Sequence, residues 1–180
     1  SRKGAARWES PDPQSSVTLA QDLIPADRDA DAAIVALVTG VRRVLAIAPQ
    51  APRSGDEKIA ALARVSDVLE LWSTYGVTDS TGLADFIGTL WQSSGRGAAR
   101  IIEFPDNGIP LVELEHQGRW RVVDPARRGW LMKADGSLAS FEEARMQPEL
   151  WKRPADPWFF PQDDPAVLQK LWSTAETKTR

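Results

Sequence analysis

The sequence predicts an α+β fold in which N-terminal helices pack on an antiparallel β-sheet. Three observations lead there. Apolar residues recur at spacings of three and four through the first half of the chain. After Gly97 that period gives way to short Ile-, Leu- and Val-rich runs separated by turn residues. The order is therefore helices first, then a meander of strands, then helix and irregular chain, which is the arrangement of a segregated α+β layer.

Residues 1–25 carry Pro11, Pro13 and Pro25 with little periodicity, and are expected to be an extended lead-in to a single domain spanning 26–180. A helical stripe then begins near Asp27, with Ile34, Leu37, Val38, Val41, Val44 and Leu45 on one side. Asp27, Asp29 and Asp31 stand where the helix dipole favours negative charge. Pro49 and Pro52 stop it. Ser54 and Glu57 have the spacing of a capping box for a second helix that runs to about Tyr75 and ends at Gly76. A third helix follows the Val77-Thr78-Asp79 turn, with Leu83, Phe86, Ile87, Leu90 and Trp91 inward, and closes at Ser93-Ser94-Gly95. Thr78 and Asp79 both qualify as its cap.

Strands are expected over Ala99 to Phe104, around Leu111 to Leu114, and from Trp120 to Val123. The last two are joined by a Gln117-Gly118 hairpin turn. A fourth runs from Gly129 to Lys133. Ser140 and Glu143 form a second capping box, opening a short helix. The stretch 147–164 is rich in proline and aromatic residues and is expected to wrap the core. A final helix carries Val167, Leu168, Leu171 and Trp172, and the tail from Thr174 is expected to fray.

Composition narrows the chemistry. The chain has 180 residues, 42% hydrophobic and 26% charged, with a net charge of −3. Its basic and acidic residues are interspersed, so no basic stripe points to nucleic acid. No apolar run is long enough to span a bilayer. There is no cysteine, which removes thiolate nucleophiles and thiolate metal ligands. The single histidine, His116, argues against a histidine metal site, and no cofactor or metal is expected. The chain begins at Ser1, which fits a fragment of a longer protein.

The segment Gly108-Ile109-Pro110-Leu111-Val112-Glu113, then Gly118-Arg119-Trp120, then Val123-Asp124-Pro125 is the most specific pattern in the chain. Together with Ser80 at a helix start and Arg100 on the preceding strand, it resembles the transglutaminase-like superfamily, relatives of the papain-like cysteine proteases. In that family a Cys opens the helix, a His lies on the first of two strands, and an acid ends the second. The resemblance implies a papain-like core and places these three positions at Ser80, Ile109 and Asp124. A weaker likeness, through Gly129-Trp130 and Asp135 to Glu143, is to bacterial members linked to surface-polysaccharide loci.

The departures change the chemistry. A hydroxyl at Ser80 needs a base, and Ile109 supplies none. The triad is degenerate, and the implied role is binding or scaffolding, with a protein or glycan partner, in bacterial cell-surface polysaccharide production. The alternative is a hydrolase or acyltransferase in which Ser80 uses a base recruited from elsewhere. Each candidate also has a structural use: Ser80 in the first helical turn, Asp124 at a turn before Pro125, Arg100, Arg127 and Arg128 in surface ion pairs rather than an anion site. Trp130, Trp151 and Trp158 either anchor loops or stack on a ligand. His116 is expected exposed at the hairpin tip, and Trp120 in the core. Cytoplasm and periplasm both remain open.

Overall fold

A computed structural model describes residues 15–47, 69, 77–104, 110–126, 129–147, 150 and 176–179. Within them lie α1 (Ser16–Leu23), α2 (Ala30–Val44), β1 (Ala46–Ile47), β2 (Val77–Thr78), α3 (Ser80–Ser93), β3 (Ala99–Glu103), β4 (Leu111–His116), β5 (Arg119–Asp124), β6 (Gly129–Trp130), α4 (Phe141–Met146) and β7 (Glu176–Thr179). The fold is α+β. A sheet ordered β6-β5-β4-β3-β7 is antiparallel throughout, and β1 pairs with β2 in a separate parallel ribbon.

Each helix starts where a short polar side chain can take an orphan backbone N–H. Ser15 accepts from Thr18 N at 3.1 Å, and Asp29 from Ala32 N at 2.8 Å. Asp79 accepts from Gly82 N at 2.6 Å, which settles the choice between Thr78 and Asp79. Helix α3 stops at Ser94, followed by Gly95 with φ of +72°, the left-handed residue that ends the helix. At α4 the capping box is complete: Glu143 N donates to Ser140 Oγ at 3.1 Å and Ser140 N to Glu143 Oε2 at 2.8 Å. The β4–β5 hairpin closes through Gln117 and Gly118, both with positive φ (53° and 77°), the two-residue turn whose twist matches its strands.

The sheet is covered on both faces. On the first, α1, α2 and α3 bury Leu19, Leu37, Val41, Leu83, Ile87 and Leu90 against Ile101, Val112, Leu114 and Val123. On the second, Phe141 and Ala144 of α4, with Leu131 and Ala139, meet Ile102, Phe104, Leu111 and Val122. Leu111 and Val112 thus serve opposite faces, as the two-residue period of a strand requires. A doubly covered strand reads as a continuous apolar run, and β4 does so from Leu111 to Leu114 apart from Glu113.

Three expectations are corrected here. Residues 16–23, assigned to an extended lead-in, form α1, because Ser15 caps it and Leu19, Ala20 and Leu23 fall on one buried stripe. The tail from Thr174 does not fray throughout. Glu176–Thr179 pairs with β3 from Glu103 to Arg100, its backbone N–H and C=O groups satisfied by the ladder. The fourth strand is shorter than expected: after Trp130 the chain leaves the ladder, and Met132 makes an isolated bridge to Leu138. Of the expected second helix only Leu69 is described, helical and packed half-buried on the helix-side core; the expected last helix and the segment 151–164 lie outside the described residues.

Candidate functional site

Helix α3 fixes the position of Ser80. A Cβ at Gly88 would stand 3.4 Å from Ala99 Cβ and 3.8 Å from Val112 Cγ2, so the helix lies close on β3 and β4 at that point. One turn later, Trp91 Nε1 donates to Glu115 O at 2.8 Å. The helix therefore runs in the same sense as β4. Its first turn lies about 12 Å back from Gly88 at 1.5 Å per residue, toward the end of the sheet where β4 begins. Ser80 is 8% exposed there.

Asp124 reaches the same end of the sheet from the other side. Val112 pairs with Val123, so Asp124 falls one rung further, level with Leu111, and it is 3% exposed. Strand alternation nevertheless groups Asp124 with Val122, on the second face, whereas α3 covers the first. Ser80 and Asp124 thus share an end of the sheet and not a face. Ile109 lies outside the described residues, as do Arg127, Arg128, Trp151 and Trp158.

The remaining predicted residues carry structure. Arg100 sits opposite Glu113 in the β3–β4 register. Its Nε and Nη2 both donate to Glu113 Oε2, at 2.7 and 2.6 Å. The guanidinium also lies 4.1 Å over the Trp120 ring, a half-buried cation–π contact. Trp120, expected in the core, is half-buried because Arg100 covers it rather than an apolar layer. Trp130 pairs with Val123 and packs half-buried on the helix-side core; it anchors the chain after β5.

His116 is half-buried rather than exposed. Its ring meets Trp91 edge-on, centroids 6.4 Å apart, and Nδ1 lies 2.7 Å from Arg96 O. Trp91 is eleven residues from Ser80 along one straight helix, about 16 Å at 1.5 Å per residue. The chain's only imidazole is therefore at the opposite end of α3 from the serine.

Beside Asp124, two of the most buried ionic groups among the described residues, Glu113 and Arg121, were not singled out as site residues in the sequence. Glu113 is fully buried, and its second oxygen accepts from Phe141 N at 2.7 Å. Arg121, 5% exposed, pairs through Nε with Asp31 Oδ1 and donates to Arg119 O at 2.8 Å. Asp31 Oδ2 accepts from Leu138 N at 2.8 Å. The available signal was a lone Glu in the apolar run Leu111-Val112-Glu113-Leu114: a buried charge needs a partner. Among the described residues no cluster of His, Asp or Glu could hold a metal ion, and no helix is long and apolar enough to cross a membrane. Compared with protein-family models, curated proteins and solved structures, the chain matches none.

Proposed function

We propose that this chain is a catalytically inactive domain of transglutaminase-like, papain-like descent with a binding or scaffolding role. Its partner is a protein or glycan, in the setting of bacterial cell-surface polysaccharide production. Support for the descent comes from the Ser80, Arg100, Glu113, Trp120 and Asp124 pattern, and from a helix start and a strand end that reach the same end of an antiparallel sheet, on opposite faces. The glycan setting rests on sequence resemblance alone. One observation carries the loss of activity. A serine nucleophile needs a base within about 3 Å, and His116 is held beside Trp91, at the far end of α3. The nearest carboxylate in sequence, Asp79, is occupied as the cap of the same helix.

The test is covalent labelling. The full chain is incubated with a fluorophosphonate and, separately, with an activated ester as acyl donor, and its intact mass is measured. The expected result is an unmodified protein, identical for the native chain and Ser80→Ala. An adduct mapped to Ser80 and lost in Ser80→Ala would overturn the proposal in favour of a serine hydrolase or acyltransferase. The binding role is read by tryptophan fluorescence against a panel of bacterial polysaccharides. Saturable quenching supports a glycan partner, and a flat response across the panel removes it.

A further inference from the structure

Residues 137–141 have an unusual hydrogen-bonding arrangement. Four of their five backbone N–H groups donate to carboxylates, and those carboxylates come from four separate places. Ser137 N donates to Asp135 Oδ1 at 2.9 Å, in the preceding turn. Leu138 N donates to Asp31 Oδ2 at 2.8 Å, on α2. Ser140 N donates to Glu143 Oε2 at 2.8 Å, on α4. Phe141 N donates to Glu113 Oε1 at 2.7 Å, on β4. Only Ala139 N uses a backbone acceptor, Leu131 O at 2.8 Å.

We infer that residues 137–141 form a carboxylate-held strap that opens as a unit on acidification, ahead of the apolar contact between α3 and the sheet. The physical basis is the acceptor chemistry. An ionised carboxylate makes a bond to N–H roughly twice as strong as a neutral acceptor does. Protonation weakens all four bonds, and each protonated carboxyl also loses its cation. Those cations are Arg121 for Asp31, Arg100 for Glu113 and Lys133 for Glu143. Lys133 and Arg119 act on Asp135 at longer range. Glu142 and Arg145 pair with each other on the outer side of α4.

The α3 side of the first face has no such dependence, while α2 meets the same face through the Asp31–Arg121 pair. There α3 meets the sheet through Leu83, Ile87 and Leu90 against Ile101, Val112 and Leu114, apolar contacts indifferent to protons. Opening the strap withdraws Ala139 and Phe141 from Ile102, Leu111 and Val122, leaving an apolar strip on the second face.

Two of the four groups have a resolved direction. The Ser137 hydroxyl and N–H hold Asp135 below the ordinary carboxylate range. Burial pushes Glu143 up, but the Ser140 N–H and Lys133 together outweigh it and the net direction is down. A carboxyl lowered by folding adds stability above its ordinary value, and that stability is lost as pH falls toward the folded value. The holds made by Asp135 and Glu143 are therefore complete at neutral pH and weaken as pH falls below the ordinary carboxylate range.

The test is amide hydrogen exchange by NMR on the full chain from pH 7 to pH 3, corrected for the intrinsic chemical rate. The amides of Ser137, Leu138, Ser140 and Phe141 are expected to lose protection together while Ile87 and Leu90 in α3 keep theirs. Simultaneous loss at all six, or strap amides still protected at pH 3, overturns the inference. Neutral isosteres give the same reading at pH 7. Glu113→Gln and the more exposed double variant Asp135→Asn with Glu143→Gln are each expected to speed strap exchange about ten-fold, with Ile87 unchanged. The double variant does not touch the buried pair, so it keeps the test decisive if Glu113→Gln fails to fold. Strap exchange unchanged in that variant also overturns it.

Discussion

Replacing Gly97 by alanine should be among the most damaging single-methyl changes this chain can suffer. A Cβ at Gly97 would stand 2.1 Å from Glu115 O and 2.9 Å from Glu115 C, both backbone atoms of β4. Restoring an ordinary contact needs a displacement of roughly 1 Å between two packed segments. Three hydrogen bonds depend on that approach: Trp91 Nε1 to Glu115 O at 2.8 Å, Glu115 N to Ala98 O at 2.8 Å, and Ala98 N to Glu115 Oε2 at 3.3 Å. At about 1 kcal/mol each, their loss or distortion sums to about 2–4 kcal/mol. For a chain of this length that is a fall in Tm of roughly 5–15 °C. Gly95→Ala is the control, since nothing lies within 4 Å of a Cβ there and its φ of +72° is the sole obstacle. Placing alanine in that left-handed conformation costs about 1 kcal/mol. Urea denaturation of both variants measures the two costs on one scale. If Gly97→Ala is no worse than Gly95→Ala, β4 does not approach Gly97 as described and the placement of α3 is wrong.

Three further outcomes can be read by the same denaturation assay. Glu113→Ala leaves the Phe141 N–H and the Arg100 guanidinium without their buried acceptor, and should cost about 3–5 kcal/mol. Asp79→Ala removes the α3 cap and should cost about 1 kcal/mol, whereas Ser80→Ala should lie within about 0.5 kcal/mol of the native chain. Trp91→Phe keeps a buried ring but loses the indole donor to Glu115 O, and should cost about 1–2 kcal/mol.

The elements most legible in the sequence were those whose caps and periods agree. Helix α3 was readable from Leu83, Phe86, Ile87, Leu90 and Trp91, all now fully or almost fully buried, and from Gly95 at its end. The hairpin was readable from Gln117-Gly118, and α4 from Ser140 and Glu143. Helix α1 was missed because it is short and sits between prolines, and its burial is a tertiary effect that local pattern does not carry. Strand β7 was missed for a related reason. Glu176-Thr177-Lys178-Thr179 has no apolar alternation, and pairing to a distant edge supplies its order. The candidate site was legible as a pattern but not as a geometry. The sequence brings Ser80 and Asp124 into one motif, while the facing of each depends on strand alternation and helix direction. Arg100 was noticed as a cation and Glu113 as part of the strand pattern, but their pairing depends on the β3–β4 register, which the sequence does not display.

Strand β7 has a consequence for how the chain comes to be folded. Its partner, β3, lies about seventy-five residues earlier in the chain, and until residues 176–179 arrive, the outer backbone groups of Arg100 to Glu103 have no β7 ladder. During vectorial synthesis the helices and the β3–β4–β5 meander emerge well before that strand. A nascent chain paused short of residue 176 thus presents β3 as an open template for another molecule's strand. Pairing of residues 176–179 is the step that closes it.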